Sequence, residues 1–134
     1  MKTKLFLLLV LMLAFSGLFA AQAQTRQEQK VQIHKQKNFS RSKLTVRFVS
    51  LVEDSRCPKG TQCIWAGNAK IKIEVSNRGR NKEMFEINTN TGAKGATYDR
   101  YQIELLDLIP VPASNVRINK NGYVATLAVT RLTR

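Results

Sequence analysis

The chain has 134 residues, with 22 lysines and arginines against nine aspartates and glutamates, so its formal charge is +13. This length accommodates one domain with a core of its own and excludes a large multidomain protein. Its charge attracts the protein to polyanions but does not determine the fold.

The N-terminal segment has the three parts of a secretory signal peptide. A basic head, Met-Lys-Thr-Lys, precedes an apolar run at 5–15 and the small-residue cleavage site Ala21-Gln22-Ala23. A membrane anchor is the alternative, but the run is too short to span a bilayer comfortably. We therefore predict a signal peptide at 1–23, with no cysteine at the cleavage site for a lipid anchor and no later transmembrane segment. Loss of two lysines lowers the formal charge from +13 to +11 in the mature chain.

The mature chain divides into a basic lead-in at 24–43 and a β domain at 44–134. The lead-in is polar and nearly free of large apolar side chains, so we expect residues 24–30 to be disordered. Val31 and Ile33 fall on one face of an extended chain and predict a short edge strand.

Period-two patterns predict strands through the rest of the chain. Apolar residues from Leu44 to Val52 indicate a strand buried on both sides, and alternation at 69–76 and 83–88 around a turn at 77–81 predicts a hairpin. Residues 98–108 fit either a bulged strand or a short helix, and a last strand extends over 123–133. Six or seven short strands separated by Gly, Pro and Asn favour a small antiparallel β-sandwich or barrel, an all-β fold.

The two cysteines, Cys57 and Cys63, predict a disulfide, because an exported protein enters an oxidising compartment. Their C-x5-C spacing differs from the C-x-x-C of a redox site, and two ligands are too few for structural zinc. The bond would be a local staple that contributes about 2–2.5 kcal/mol.

The stretch 52–69, Val-Glu-Asp-Ser-Arg-Cys-Pro-Lys-Gly-Thr-Gln-Cys-Ile-Trp-Ala-Gly-Asn-Ala, is the most distinctive of the chain. It resembles a D-S-R-C-P-x-G-x-x-C-x-W-A-G-x-A motif of small bacterial secreted proteins and lipoproteins of uncharacterised function. The flanking apolar strands and a later element at 106–112 are also similar. The resemblance implies export but no particular activity, and this chain lacks the cysteine with which many relatives look lipid-anchored.

Several residues of the motif suit a structural corner between two strands. Short polar side chains can bond backbone N–H groups, Pro and Gly shape the disulfide loop, and an indole can pack over a disulfide. Gly67 suits a backbone requirement or a close approach. The residues with these structural roles are Asp54, Ser55, Pro58, Gly60, Trp65 and Gly67.

A functional interpretation of the same loop stays open. Arg56 and Lys59 could belong to a preorganised recognition loop, including a protease inhibitor in which Lys59 enters an acidic specificity pocket. Glu53 and Asp54 could contribute to a cation site, but an ion pair or turn involving Arg56 is favoured, since adjacent strand residues point to opposite faces.

Basic residues around the predicted hairpin suggest a polyanion-binding patch. They are Lys70, Lys72, Arg78, Arg80 and Lys82. Tyr98, Tyr101 and Tyr123 could add stacking surfaces, although packing at strand edges is favoured. No nucleic-acid motif is present, and export disfavours an intracellular partner.

No catalytic, metal or cofactor site is expected. The one histidine, His34, is expected to be solvated, no G-x-S-x-G, H-E-x-x-H or phosphate-binding loop is present, and both thiols are expected to be oxidised. We therefore expect a non-catalytic periplasmic or secreted module that binds another envelope protein or an anionic envelope component. A polyanion-binding protein, for lipopolysaccharide, acidic polysaccharide or nucleic acid, and a disulfide-loop protease inhibitor are the alternatives.

Overall fold

A computed structural model describes residues 26–133, and the predicted signal peptide at 1–23 lies outside them. The described chain forms eight strands and one short 3-10 turn. The strands are β1 (Arg26–Gln32), β2 (Gln36–Phe39), β3 (Leu44–Asp54), β4 (Ala69–Asn77), β5 (Arg80–Asn88), β6 (Gly95–Tyr98), β7 (Tyr101–Ile109) and β8 (Val124–Arg131).

The strands form two four-stranded antiparallel sheets, which confirms the predicted all-β fold. One sheet has the order β1-β8-β7-β6 and the other the order β2-β3-β4-β5. The chain passes between the sheets at 33–35, where the Ile33 N–H donates to the carbonyl of Tyr123 and the His34 N–H to that of Phe48, at 2.8 and 2.7 Å. His34 itself is exposed, as expected.

The expected disorder at 24–30 is wrong from Arg26 onward. Strand β1 pairs with β8 along its whole length, from Arg26 opposite Thr130 to Gln32 opposite Val124. An edge strand is held by backbone hydrogen bonds on one side, so its side chains can be almost entirely polar and give no period-two signal. Only Val31 of β1 is fully buried.

The core lies between the sheets and is built by alternating residues, as the sequence pattern predicts. Its fully buried side chains include Val46, Phe48, Ile71, Ile73, Ile87, Ile103 and Leu127. Burial of each such side chain contributes about 1.5–3 kcal/mol. The two-sided burial expected up to Val52 is wrong, because register shifts after Phe48 and Leu51 turn the strand outward and leave Val52 47% exposed.

The ambiguous segment 98–108 is strand except for a turn at 99–100: Tyr98 ends β6 and residues 101–108 lie in β7. The register between β7 and β8 shifts between Leu105 and Asp107, so the bulged strand is correct and the helix is wrong. The bulge directs Leu106 outward, where it is 40% exposed. This explains the slip in the apolar pattern at Leu105-Leu106.

The antiparallel topology sorts the connections to two ends of the molecule. The loop end carries the β3–β4 connection at 55–68, the β5–β6 connection at 89–94 and the β7–β8 connection at 110–123. The turn end carries the short connections at 40–43, 78–79 and 99–100. Within residues 26–133 the structure has no helix with the length and apolar character needed to cross a bilayer.

Candidate binding site at the disulfide loop

The predicted disulfide between Cys57 and Cys63 is present at the loop end. Between the cysteines, Pro58 and Gly60 form a tight turn in which the Thr61 N–H donates to the Pro58 carbonyl at 3.2 Å. Gly60 has a φ of +81°, which a side chain would strain. Pro58 and Gly60 therefore have the structural roles predicted for them.

The disulfide loop is docked on the β7–β8 connection. The Lys59 N–H donates to the Pro112 carbonyl at 2.8 Å, and Lys59 forms a parallel bridge with Ala113. The hydroxyls of Thr61 and Ser114 are 2.8 Å apart. These contacts fix the orientation of the loop relative to the first sheet.

Asp54 and Arg56 form a clamp at the base of this loop. The Arg56 guanidinium donates to both carboxylate oxygens of Asp54, at 2.8 and 2.7 Å, and to the carbonyls of Leu108 and Pro110. The Tyr123 hydroxyl donates to the same carboxylate at 2.9 Å. The side chains of Arg56 and Asp54 are only 11% and 7% exposed. The ion-pair interpretation fits this geometry, and Arg56 is not placed to bind a ligand.

The clamp shifts the pKa values of its acidic members in opposite directions. Burial alone would raise the pKa of Asp54, but hydrogen bonds from Arg56 and Tyr123 and the charge of Arg56 hold it below its ordinary value. Burial and the hydrogen bond to the Asp54 carboxylate raise the pKa of Tyr123. The charged form of Asp54 and the neutral form of Tyr123 are therefore the ones that the fold favours.

Gly67 allows the two sides of the loop to approach closely. It has a φ of +71°, and a Cβ at this position would lie 1.9 Å from the carbonyl oxygen of Ser55. The Ser55 N–H donates to the Asn68 carbonyl at 2.7 Å, and the Ser55 hydroxyl, which has one proton, lies 3.0 Å from that carbonyl and 3.0 Å from a Glu53 carboxylate oxygen. The close approach predicted for Gly67 is found, whereas the Ser55 side chain lies against a carbonyl and a carboxylate rather than the backbone N–H groups expected.

The predicted burial of Trp65 over the disulfide is wrong. Trp65 is 79% exposed and its neighbour Ile64 is 92% exposed. The Cys57 N–H donates to the Ala66 carbonyl at 3.0 Å, and this pairing places both side chains on the outer rim of the loop. The nearest core residue along the chain, Ala69, already lies in β4.

Trp65 forms one wall of a cleft between the disulfide loop and the β5–β6 connection. The cleft has a volume of about 560 Å³. Its other walls are polar and include Glu53, Asn68, Lys70, Asn90 and Thr91. The sequence gives no indication of Asn68, Asn90 or Thr91, because loop asparagines and threonines carry no periodic signal and line the cleft with Trp65 only through the fold.

The predicted basic patch lies in part on the outer face of the second sheet, which Lys70, Lys72 and Lys82 share, and acidic partners interrupt it. Lys72 pairs with Glu86 at 3.5 Å and Lys82 with Glu74 at 3.2 Å on the outer face of the second sheet. Lys70 also lines the Trp65 cleft at the loop end. Arg78, which is next to Lys43, and Arg80, the first residue of β5, lie at the turn end.

The tyrosines are not stacking surfaces, and the packing alternative is correct. Tyr98 and Tyr123 are each 4% exposed, and Tyr101 packs partly buried against the core. The Tyr98 hydroxyl donates to the Asn81 carbonyl at 2.6 Å. All three rings and the hydroxyls of Tyr98 and Tyr123 are thus used within the fold.

Comparison with family models, with curated proteins and with solved structures finds no match to this chain. In the described residues, no group of three or more His, Cys, Asp and Glu side chains has the arrangement needed to hold a metal ion.

Proposed function

We propose that the mature chain is an exported, non-catalytic β-sandwich module that binds a macromolecule of the cell envelope or the medium. We call Trp65 and the walls of the adjacent cleft the Trp65 surface, and we propose it as the contact region. The observation that carries the proposal is the 79% exposure of Trp65 on a loop held by a disulfide and a buried ion pair.

A rigid loop with an exposed indole is well suited to binding. Tryptophan is enriched among the residues that dominate binding energy, because its large ring excludes water from a contact. Side chains and loops lose conformational freedom on association, and this cost is smaller where the chain is already fixed. Docking on Pro112 and Ser114 gives the disulfide loop this preorganisation.

Export is supported by two independent features of the chain. The signal-peptide pattern at 1–23 directs a chain to the secretory pathway. The disulfide between Cys57 and Cys63 is of the kind that persists in oxidising compartments. The periplasm and the external medium both meet these conditions.

Fluorescence of the one tryptophan tests the proposal directly. Purified mature protein is titrated with three separated envelope fractions, namely polysaccharide, lipid vesicles and protein, while the emission of Trp65 is recorded. We expect one fraction to change the emission saturably. Trp65→Ala should abolish binding in a label-based assay, while Met84→Ala, which removes a 55% exposed apolar side chain of β5, should not. Unchanged emission with all three fractions would overturn the proposal.

Polyanion binding at the turn end is a second candidate. The Arg78 N–H donates to the Lys43 carbonyl at 3.2 Å, so the two cationic residues are neighbours on a groove of about 500 Å³. The groove also contains Lys82 and the acid with which it pairs, Glu74. Heparin affinity should fall steeply with salt, and Lys43→Ala/Arg78→Ala should weaken it while Trp65→Ala does not. Failure to bind heparin at low salt would remove this candidate.

The protease-inhibitor alternative has less support from the geometry. An inhibitory loop offers its backbone to the protease as an added strand. The backbone of Lys59 instead bonds to Pro112 and forms a bridge with Ala113 of its own chain. Trypsin activity should therefore be unchanged by a large excess of the protein.

A further inference from the structure

The cleft beside Trp65 combines one aromatic wall with polar walls of both charges. Glu53 supplies a carboxylate, Lys70 an ammonium group and Thr91 a hydroxyl. Pockets for apolar ligands are lined mainly by hydrophobic side chains, and grooves for phosphate chains are lined mainly by cations. The Trp65 cleft belongs to neither kind.

The floor of the cleft is rigid because asparagine side chains tie its two loops together. The Asn68 side-chain oxygen accepts from the N–H groups of Asn90 and Thr91, at 3.1 and 3.3 Å. The Asn68 amide donates to the side chain of Asn88 at 2.9 Å, and the Asn90 amide donates to the Gly67 carbonyl at 3.1 Å. These bonds give the cleft its shape without a ligand.

The groups around the indole are left available by this network. One carboxylate oxygen of Glu53 lies 3.0 Å from the Ser55 hydroxyl, and the other has no partner among the described residues. Across residues 26–133, no hydrogen bond or ion pair occupies the side chains of Lys70, Thr91 or Trp65. A donor, an acceptor and a hydroxyl that can act as either thus line the same cleft as the indole.

We propose that the Trp65 cleft binds a sugar unit of a polysaccharide, with one ring face on the indole and the hydroxyl groups bonded by Glu53, Lys70 and Thr91. A sugar ring has an apolar C–H face and a rim of hydroxyls, which matches an aromatic wall beside mixed donors and acceptors. The +11 charge of the mature chain favours an acidic polysaccharide, and Lys70 is the cation placed to pair with a uronate. This inference rests on the proposed role of the Trp65 surface.

Ile64 separates this proposal from binding to a lipid surface. A bilayer interface would take up both exposed apolar side chains of the loop rim, Ile64 and Trp65. The cleft is lined by Trp65 but not by Ile64. Of these two side chains, only Trp65 should therefore matter for sugar binding, whereas both should matter for membrane binding.

The test is a saccharide array that spans neutral and uronate-containing glycans, followed by titration of the bound saccharides in solution with Trp65 fluorescence as the readout. We expect saturable binding with a Kd of about 1 mM or tighter, strongest for uronate-containing chains. Trp65→Ala should weaken binding at least about tenfold and Lys70→Ala should weaken the uronate-containing chains selectively. Ile64→Ala and Met84→Ala are the matched controls and should bind like the wild type.

Three results would overturn the inference: no saccharide bound by the wild type, equal binding by Trp65→Ala, or equal loss in Ile64→Ala and Trp65→Ala. The same samples are titrated with phosphatidylglycerol vesicles. If vesicles or a protein fraction change Trp65 emission and saccharides do not, the sugar inference fails and the proposed function stands. If no probe changes it, both fail.

Discussion

Replacement of Arg56 by methionine should be among the most destabilising single changes at the loop end. Methionine keeps an unbranched apolar stem but leaves the Asp54 carboxylate and the carbonyls of Leu108 and Pro110 without their guanidinium donors. Removing one partner of a buried ion pair costs about 3–5 kcal/mol. Because Tyr123 still donates to Asp54, we expect the lower end of this range, about 3 kcal/mol.

Urea denaturation measures this loss. With a slope of about 1.5 kcal/mol per molar urea, the midpoint should fall by about 2 M. The control is Lys72→Met, which breaks the exposed pair with Glu86 and should cost about 0–1 kcal/mol. A loss below about 1 kcal/mol for Arg56→Met, indistinguishable from the control, would refute the clamp as a stabilising element.

The pH dependence of stability gives the clamp a second signature. The pKa of Asp54 is lower in the folded state than the value of about 3.9 for an unfolded aspartate. Its contribution is therefore complete above about pH 4 and is lost as the pH falls through the folded-state pKa. Asp54→Asn should be less stable than the wild type at neutral pH, and the difference should shrink in acid. A constant difference from neutral to acid pH would contradict this account.

Three further predictions concern the loop that the clamp supports. The double variant Cys57→Ser/Cys63→Ser should lose about 2–2.5 kcal/mol in the same urea assay, and a loss near zero would show that the docked loop needs no covalent closure. Gly67→Ala should lower the free energy of unfolding by about 3 kcal/mol or more, because its Cβ meets the Ser55 backbone. Gly60→Ala faces open space and should lower it by only about 1 kcal/mol. Equal losses in the two variants would contradict the close approach at Gly67. Trp65→Ala should change the free energy of unfolding by less than about 0.5 kcal/mol. Acrylamide should readily quench the fluorescence of the wild-type indole, and protection from quenching would show that Trp65 is buried.

The fold was predictable where one face of a strand is buried. Leu44 to Phe48 and Ala69 to Val75 alternate because the core accepts every second side chain, so the pattern reports the sheet directly. The edge strand β1 was not predictable in this way. It has backbone partners but almost no core contact, so its residues resemble those of a disordered segment.

The site was predictable only in its backbone chemistry. Pro58 and Asp54 have side chains that restrict or bond the local chain, and Gly67 has none to obstruct a close approach, so their local roles follow from residue type. The exposure of Trp65 depends instead on what lies beneath the loop, which is a property of the whole fold. The cleft likewise joins Trp65 to Asn90 of another connection, and no sequence spacing encodes that meeting.

The length of the β3–β4 connection argues that the disulfide loop has a purpose beyond joining two strands. Neighbouring antiparallel strands need only a two-residue turn, and Arg78-Gly79 joins β4 to β5 in this way. The connection 55–68 joins an equally adjacent pair, yet it contains a disulfide, takes part in a buried ion pair and includes a glycine in close contact with the facing backbone. Each of these features fixes the position of the loop, and none adds an apolar side chain to the core. What the bracing holds in place is the rim with Ile64 and Trp65, and a fixed rim is what the proposed binding role requires.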